Sequence, residues 1–386
     1  MTAPAALPFD PAAPPGRTWV EIDLAALRHN CQAAQACCPS PAKSLIAVVK
    51  ADAYGFGMLP VAHALADLVR AFAVANLAEA RALRADGIAL PIYLLSPALP
   101  HEQQAIADDG FCPPISQQSE VARFAAAAAH RSSPLPVHLV VDTGMGRIGA
   151  LPHEAPALLQ SILSCPQLAL DSIASHFPSA DEDPLATRLQ ADRLTLLIDR
   201  LRAQGFPLPP THLANSAALS TRPTLGGDWT RVGLMLYGVA PRPSAQADLL
   251  TVLTWKTRVA LVRALPPGHG ISYGSAFVTA RPTTLVTLPV GYADGFPRQA
   301  SGQGAAVLLG GQPCPVLGRV TMDQIMVDAT DLPTPPEVGD EAVLIGSQGS
   351  QEITAAALAA AGGTIAWDLF TGLGARVERR YSSRMF

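Results

Sequence analysis

The sequence predicts an α/β chain: a (β/α)8 barrel of the TIM type followed by a C-terminal, mostly antiparallel β-domain. Three observations carry this. Short apolar runs alternate with helical stretches eight times within about 230 residues, near the ~250 that such a barrel uses. Beyond residue 243 the helical periodicity gives way to short strands between Gly/Pro clusters. At 386 residues the chain also exceeds what one ordinary core serves, so two domains are expected. We divide it into an Ala/Pro-rich extended arm (1–16), a barrel (17–246) and a β-domain (247–386).

In chain order, the barrel strands fall near 44–49, 71–75, 91–95, 112–115, 136–142, 169–176, 210–214 and 231–237. Each is a short apolar run, as expected of strands buried on both faces, by helices outside and by the barrel core inside. Helical patterns lie between them, at 77–86, 117–129 and 184–204. Further on, strands are expected at 251–265, 283–289, 305–309 and 341–345. The separators are Pro266-Pro267-Gly268, Gly310-Gly311 and the stretch 333–336. A late helix, 354–361, is stopped by Gly362-Gly363.

Composition narrows the function classes. Apolar residues make up 49% and charged residues 15%, which indicates a well-buried globular protein. The net charge of −4 and the lack of a basic run argue against nucleic acid or an anionic membrane as partner. The arm lacks a secretory pattern and no apolar run reaches the length of a membrane helix, so a soluble cytoplasmic protein is expected. Six cysteines form no Cys-x-x-Cys pair and read as buried reduced thiols. Nine histidines lack metal-ligand spacing, so no metal site is expected.

The chemistry centres on Ala47-Val48-Val49-Lys50-Ala51-Asp52-Ala53-Tyr54-Gly55-Phe56-Gly57. An apolar run ends abruptly in a lysine. Desolvation at such a strand end disfavours the ammonium and frees the amine to attack an aldehyde. In a barrel, residues at the C-terminal strand ends share one mouth. There the chain offers Arg147, His176, His212-Leu213-Ala214-Asn215-Ser216 and Arg231-Val232-Gly233-Leu234. Taken singly, each has an ordinary explanation: His176 as a core histidine, Arg231 as a surface arginine, Asn215-Ser216 as a helix cap. Together they read otherwise. Ser216 opens a helix and Gly233 permits close backbone approach, so both can offer N–H groups to a phosphate. A lysine, a phosphate cradle and a stacking histidine fit pyridoxal phosphate.

The chain resembles the alanine racemase family. The resemblance rests on Val48-Val49-Lys50-Ala51-Asp52-Ala53-Tyr54-Gly55, Asp142-Thr143-Gly144-Met145-Gly146-Arg147 and the stretch 212–217. It continues through Ile271-Ser272-Tyr273-Gly274, Gly291-Tyr292-Ala293-Asp294-Gly295 and Gly318-Arg319-Val320-Thr321-Met322-Asp323. It implies pyridoxal 5′-phosphate as cofactor, held covalently by Lys50, and L-/D-alanine interconversion by two bases on opposite faces. Lys50 is one base. Tyr273, donated by the second subunit of a homodimer, is the other. The resemblance gives the phosphate to Tyr54, Ser216 and the backbone of Gly233 and Leu234, with Asn215 beside them. His176 packs on the ring, Arg231 bonds its nitrogen, and Arg147 lies near its 3′-oxygen. Arg147 and the Met322 N–H are placed near the substrate. His212, Tyr292, Arg298, Arg319 and Asp323 support the site or its access channel. A phenol is a weak acid, so Tyr273 needs a positive field, which His212 and Arg231 would supply through hydrogen bonds.

Two positions depart from the family pattern. Val140 stands where many members carry a carbamylated lysine that steadies the active-site arginine, so Arg147 must be oriented by another group. Ala375 precedes Arg376-Val377 where some relatives use a tyrosine for the phosphate. Three alternatives stand beside this reading. One is a racemase of serine or a wider range of amino acids. The second is a fold-related amino-acid decarboxylase, which needs a carboxylate at the ring nitrogen where this chain has Arg231. The third is a non-catalytic pyridoxal-phosphate-binding barrel, which lacks the β-domain of residues 247–386.

Overall fold

The computed structural model describes residues 16–38, 44–241 and 248–382. Apart from Gly16, the expected N-terminal arm lies outside the described residues. By internal contacts the chain divides into two units. One comprises residues 26–53 and 57–250; the other comprises the chain up to Ala25, Tyr54–Phe56 and the chain from Thr251 onward.

The first strand, β1 (Thr18–Asp23), is followed by α1 (Leu24–Ala36) and β2 (Leu45–Val48). A left-handed turn, α2 (Lys50–Tyr54), comes next, then α3 (Met58–Leu65), β3 (Ala71–Val74), α4 (Leu77–Ala85) and β4 (Ile92–Leu94). The alternation continues with α5 (Gln103–Asp109), β5 (Pro114–Ile115), α6 (Gln118–Ala127), β6 (Leu135–Val140), α7 (Ala155–Leu163) and β7 (Leu168–Ala174). It closes with α8 (Pro184–Ala203), β8 (Thr211–His212), α9 (Ser216–Thr221) and β9 (Thr230–Val232).

Strands β2 to β9 form a closed parallel ring. Two four-stranded sheets, β4-β3-β2-β9 and β5-β6-β7-β8, are joined by isolated bridges at Tyr93/Cys112 and His212/Trp229. The β2 and β3 strands are buried throughout, as the unbroken apolar runs demand. Seven barrel strands are followed by α-helices, but Leu234–Tyr237 after β9 is a 3-10 turn. The expected long last strand, 231–237, stops at Val232 because Gly233 leaves extended geometry and Gly238 adopts a left-handed φ of 78°. Helix α1 is tied to this region instead: the buried Asn30 amide donates to Leu236 O and Leu250 O and accepts from Leu250 N–H.

The second unit is a long mixed sheet. Its strands are β10 (Leu253–Arg258), β11 (Leu261–Leu265), β12 (Gly270–Ile271), β13 (Phe277–Val278), β14 (Thr283–Leu288) and β15 (Ala306–Leu309). They continue with β16 (Gln312–Leu317), β17 (Ile325–Asp328), β18 (Glu341–Gln348), β19 (Gln351–Ile353) and β20 (Glu378–Ser382). Helices α10 (Ala355–Ala361) and α11 (Ala366–Thr371) interrupt the last stretch. The sheet order is β11-β14-β17-β16-β15-β18-β10-β1-β20, while β12 and β13 form a separate hairpin. Thus β1, inside the segment we read as barrel, is hydrogen-bonded into this sheet, antiparallel to β10 and parallel to β20. Trp19, Val20 and Ile22 are buried there, each worth about 1.5–3 kcal/mol.

All six cysteines are free, but not all are buried: Cys37 is exposed in the turn that ends α1, and Cys165, two residues beyond α7, is half-buried. Among the described residues no helix is long and apolar enough to cross a membrane.

Candidate active site

Lys50 leaves β2 one residue after Val49, and the backbone then turns left-handed. Ala51, Asp52, Ala53 and Tyr54 all have φ between 52° and 58°. Each costs about 1–2 kcal/mol in that region. Hydrogen bonds hold the turn: Ala53 N–H donates to Val49 O (2.9 Å), Gly57 N–H to Asp52 O (2.9 Å) and Met58 N–H to Asp52 Oδ1 (2.7 Å). The Glu79 carboxylate accepts from Ala51 N–H (2.8 Å) and Ala75 N–H (2.7 Å), so it joins the turn to the end of β3. Burial pushes the Lys50 amine below its usual range; Arg147 adds to this and Glu79 opposes it.

Around the same barrel mouth the guanidinium of Arg231 is buried and heavily bonded. Its Nη2 donates to Ser175 O (2.6 Å), His176 Nδ1 (3.0 Å) and Leu213 O (3.4 Å). Its Nη1 donates to His212 O (2.9 Å) and His212 Nδ1. Burial and the neighbouring Arg147 bring Arg231 down to about 10. Burial, then the cations Arg231, Arg147 and Lys50, push His176 down to about 3, so it is neutral. Nearby, Asn215 caps α9 by accepting from Ala218 N–H, and its amide donates to Phe177 O. Ser216 Oγ accepts from the N–H groups of Gly233 (3.2 Å) and Met235 (3.4 Å). Asp142 gathers the N–H groups of Gly144, Met145 and Gly146 and shapes the loop that carries Arg147. Arg147 itself is exposed and has no hydrogen-bond partner among the described residues.

The second unit holds Tyr54, Tyr273, Tyr292, Arg298, Arg319, Met322 and Asp323. Burial raises Tyr54 to about 12. Beside it, Gly55 has φ +86°, and a Cβ there would meet Phe370 O at 2.2 Å. Tyr273 sits in a tight turn beyond β12 and is 70% exposed. Ser272 Oγ anchors that turn on Arg319 O (2.7 Å). Tyr292 N–H donates to Thr321 O and Ala293 N–H to Met322 O, which clasps two loops together. Gly291 makes this possible, since a Cβ there would lie 2.3 Å from Thr321 O. Arg376 locks the clasp by ion pairs to Asp294 (2.7 Å) and Asp323 (2.7 Å). Arg298 lies exposed in a separate 3-10 turn, Arg298–Ala300.

Residues 22–241 match the family described as alanine racemase, N-terminal domain, and residues 252–381 match alanine racemase, C-terminal domain. The chain belongs to the alanine racemase family. It is 40% identical over 372 residues to the alanine racemase of Halothermothrix orenii, covering 95% of this chain and 97% of that one. It is 41% identical over 368 residues to that of Synechocystis, covering 94% and 98%. Among solved structures, the alanine racemase from D-cycloserine-producing Streptomyces lavendulae superposes with a TM-score of 0.89 at 35% identity, covering 97% of this chain and 99% of that one. The Bacillus anthracis alanine racemase with bound L-Ala-P gives 0.86 at 34% identity, covering 96% of each.

Alanine racemases are pyridoxal-phosphate-dependent isomerases, and the donor set of the barrel fits that cofactor. The backbone N–H groups of Ser216, Ala217 and Leu234 have no acceptor among the described residues, and the Ser216 hydroxyl proton is free to donate. Those are the donors a phosphate takes. Arg231 Nε is the one guanidinium position with no partner among the described residues, which suits an unprotonated ring nitrogen.

Several site residues escaped the sequence reading. Glu79 had a local signal, since Asn76-Leu77-Ala78-Glu79 has capping-box spacing and Asn76 caps α4. Asp294 and Arg376 stand in stretches the family resemblance singled out, but nothing in the sequence pairs them across 82 residues.

Proposed function

We propose that the protein racemises alanine in the cytoplasm as a homodimer, with Lys50 and the partner subunit's Tyr273 as the two bases. The barrel unit, residues 26–53 and 57–250, carries the cofactor, and the second unit delivers the second base. Bound in the barrel, pyridoxal phosphate supplies an aldehyde for an amine and a conjugated ring that spreads the charge left when an α-proton departs.

The chain's own residues do the rest. The N–H groups of Ser216, Ala217 and Leu234 hold the phosphate, with Gly233 letting the backbone approach, Asn215 fixing the turn that presents it and Tyr54 adding a hydroxyl. His176, kept neutral, packs on the ring. Lys50, with its proton weakly held, takes or returns a proton on one face; the partner subunit's Tyr273 does so on the other. Arg147 and the Met322 N–H orient the substrate carboxylate, and Tyr292, Arg319 and Asp323 limit access to small substrates. The observation that carries the reading is Arg231. It is buried, anchored by carbonyls and imidazoles, and has no carboxylate ion pair among the described residues. A guanidinium is a poor proton donor, so the ring remains a modest electron sink, which suits reversible proton transfer over decarboxylation or transamination. The exposure of Tyr273, Tyr292 and Met322 supports delivery of Tyr273 to a second copy.

The test is complementation between two inactive variants. Lys50→Ala and Tyr273→Phe homodimers are unfolded together, refolded and incubated with L-alanine in deuterated water. Sites shared across the dimer regain about a quarter of wild-type racemisation, with deuterium at the α-carbon, because half the dimers carry one intact site. No recovery refutes the shared site. Carbon dioxide release from the wild type refutes the reaction class.

A further inference from the structure

Arg231 lacks a carboxylate neighbour, yet its hydrogen bonds lead to one. An arginine only donates, so His212 Nδ1, which accepts from Arg231 Nη1, is a lone pair and the His212 proton sits on Nε2. That Nε2–H lies 3.1 Å from Ser172 Oγ and donates to it. The Ser172 hydroxyl is then free to donate onward, and it lies beside the phenol oxygen of Tyr93. Tyr93 in turn donates to Asp171 Oδ2. Arg231, His212 and Ser172 therefore form one directed hydrogen-bonded run, and Tyr93 and Asp171 form a second; the Ser172 hydroxyl, free to turn toward the phenol, is the joint between them, so every proton points toward the carboxylate. The path runs from β9 through β8 and β7 to Tyr93 on β4, then returns to β7, where Asp171 directly precedes Ser172. Tyr93, Ser172 and His212 are at most 2% exposed, so water does not compete for these bonds. Asp171 has no ion-pair partner among the described residues.

We propose that Asp171 is the remote counter-charge of Arg231, and that Tyr93 and Ser172 are positioning residues that transmit its pull to His212. Hydrogen bonds in a row polarise one another, most strongly where water is excluded. The carboxylate thus strengthens His212 Nδ1 as an acceptor, fixes the plane of the guanidinium and so aims its remaining Nε–H. The relay depends on the racemase reading only for its catalytic consequence.

The test uses holoenzyme labelled with 15N-histidine and the variants Asp171→Asn, Tyr93→Phe and Ser172→Ala. Asn still accepts from Tyr93 but carries no charge. In the wild type, His212 shows a protonated Nε2 and a strongly hydrogen-bonded Nδ1. In Asp171→Asn the Nδ1 resonance moves toward that of a free imidazole nitrogen, while the surface histidines stay put. Racemisation falls by up to about tenfold in kcat, the scale of one net hydrogen bond, with KM within about twofold. Tyr93→Phe combined with Asp171→Asn costs no more than Tyr93→Phe alone, because the acid acts only through the phenol. An unmoved His212 resonance in Asp171→Asn, or additive losses in the double variant, overturns the proposal. If Tyr93→Phe does not fold, Asp171→Asn and Ser172→Ala still decide through the resonance. A moved resonance in a protein that racemises nothing keeps the relay and refutes the racemase reading.

Discussion

Lys50 is followed at once by a run of four left-handed residues, a conformation that ordinary side chains avoid. Glycine bears that geometry without penalty, so Ala51→Gly should leave the melting temperature unchanged or raise it. The same exchange in a right-handed helix costs about 0.5–1 kcal/mol. A clear drop in thermal midpoint would contradict the strain argument. Glu79 is the clamp on this turn. Glu79→Gln keeps one acceptor and adds a donor, leaving one of two N–H groups unmet. We expect a loss of about 1–3 kcal/mol in urea unfolding, together with weaker cofactor retention on dialysis. Lys50 itself was legible because an apolar run ended in it. The turn was not, since Ala-Asp-Ala-Tyr reads equally well as right-handed helix. Tyr93 and Asp171 were invisible for another reason: they lie 78 residues apart and meet only once the barrel closes.

Among the elements, the barrel strands carry an unusual load of buried imidazole. Burial holds His138 at about 4 and His176 at about 3, and pushes His212 well below its usual value. Unfolded, all three titrate near 6.5. The folded protein therefore binds fewer protons, its stability is full above pH 6.5, and it declines as the pH falls toward the folded values. The slope approaches about 1.4 kcal/mol per pH unit for each histidine. Urea titrations at pH 7.5, 6 and 5 check this, and His138→Asn should flatten the decline. Strand positions were readable wherever packing demanded unbroken apolar runs, as in β2 and β3. Helix α11 was missed because six residues directly after a Gly-Gly stop carry too little periodicity. The placement of β1 was missed because Thr-Trp-Val-Glu-Ile-Asp suits a barrel strand as well as a sheet strand; only pairing distinguishes them.

At the scale of the whole molecule, the loop clasp around Gly291 ties the family's substrate-facing residues to the second unit's sheet. Gly291→Ala would drive a methyl group into two carbonyl oxygens. We expect a raised KM for alanine and a lowered urea midpoint, with cofactor binding retained; loss of cofactor instead would contradict a role confined to the loop clasp. The division of the chain into a barrel followed by a β-rich part was legible from texture alone, because helix periodicity and turn chemistry change together near residue 243. How the two parts exchange segments was not, since Tyr54–Phe56 and β1 carry no local mark of where they go.

Strand β1 is flanked in the sheet by β10 and β20, both of which leave the ribosome after the entire barrel. At roughly 5–20 residues per second, a nascent chain spends tens of seconds or less with Trp19, Val20 and Ile22 made but without either neighbour. During that interval a bare hydrophobic edge awaits its mates, so this strand takes its final place only when the last stretch of the chain has been made.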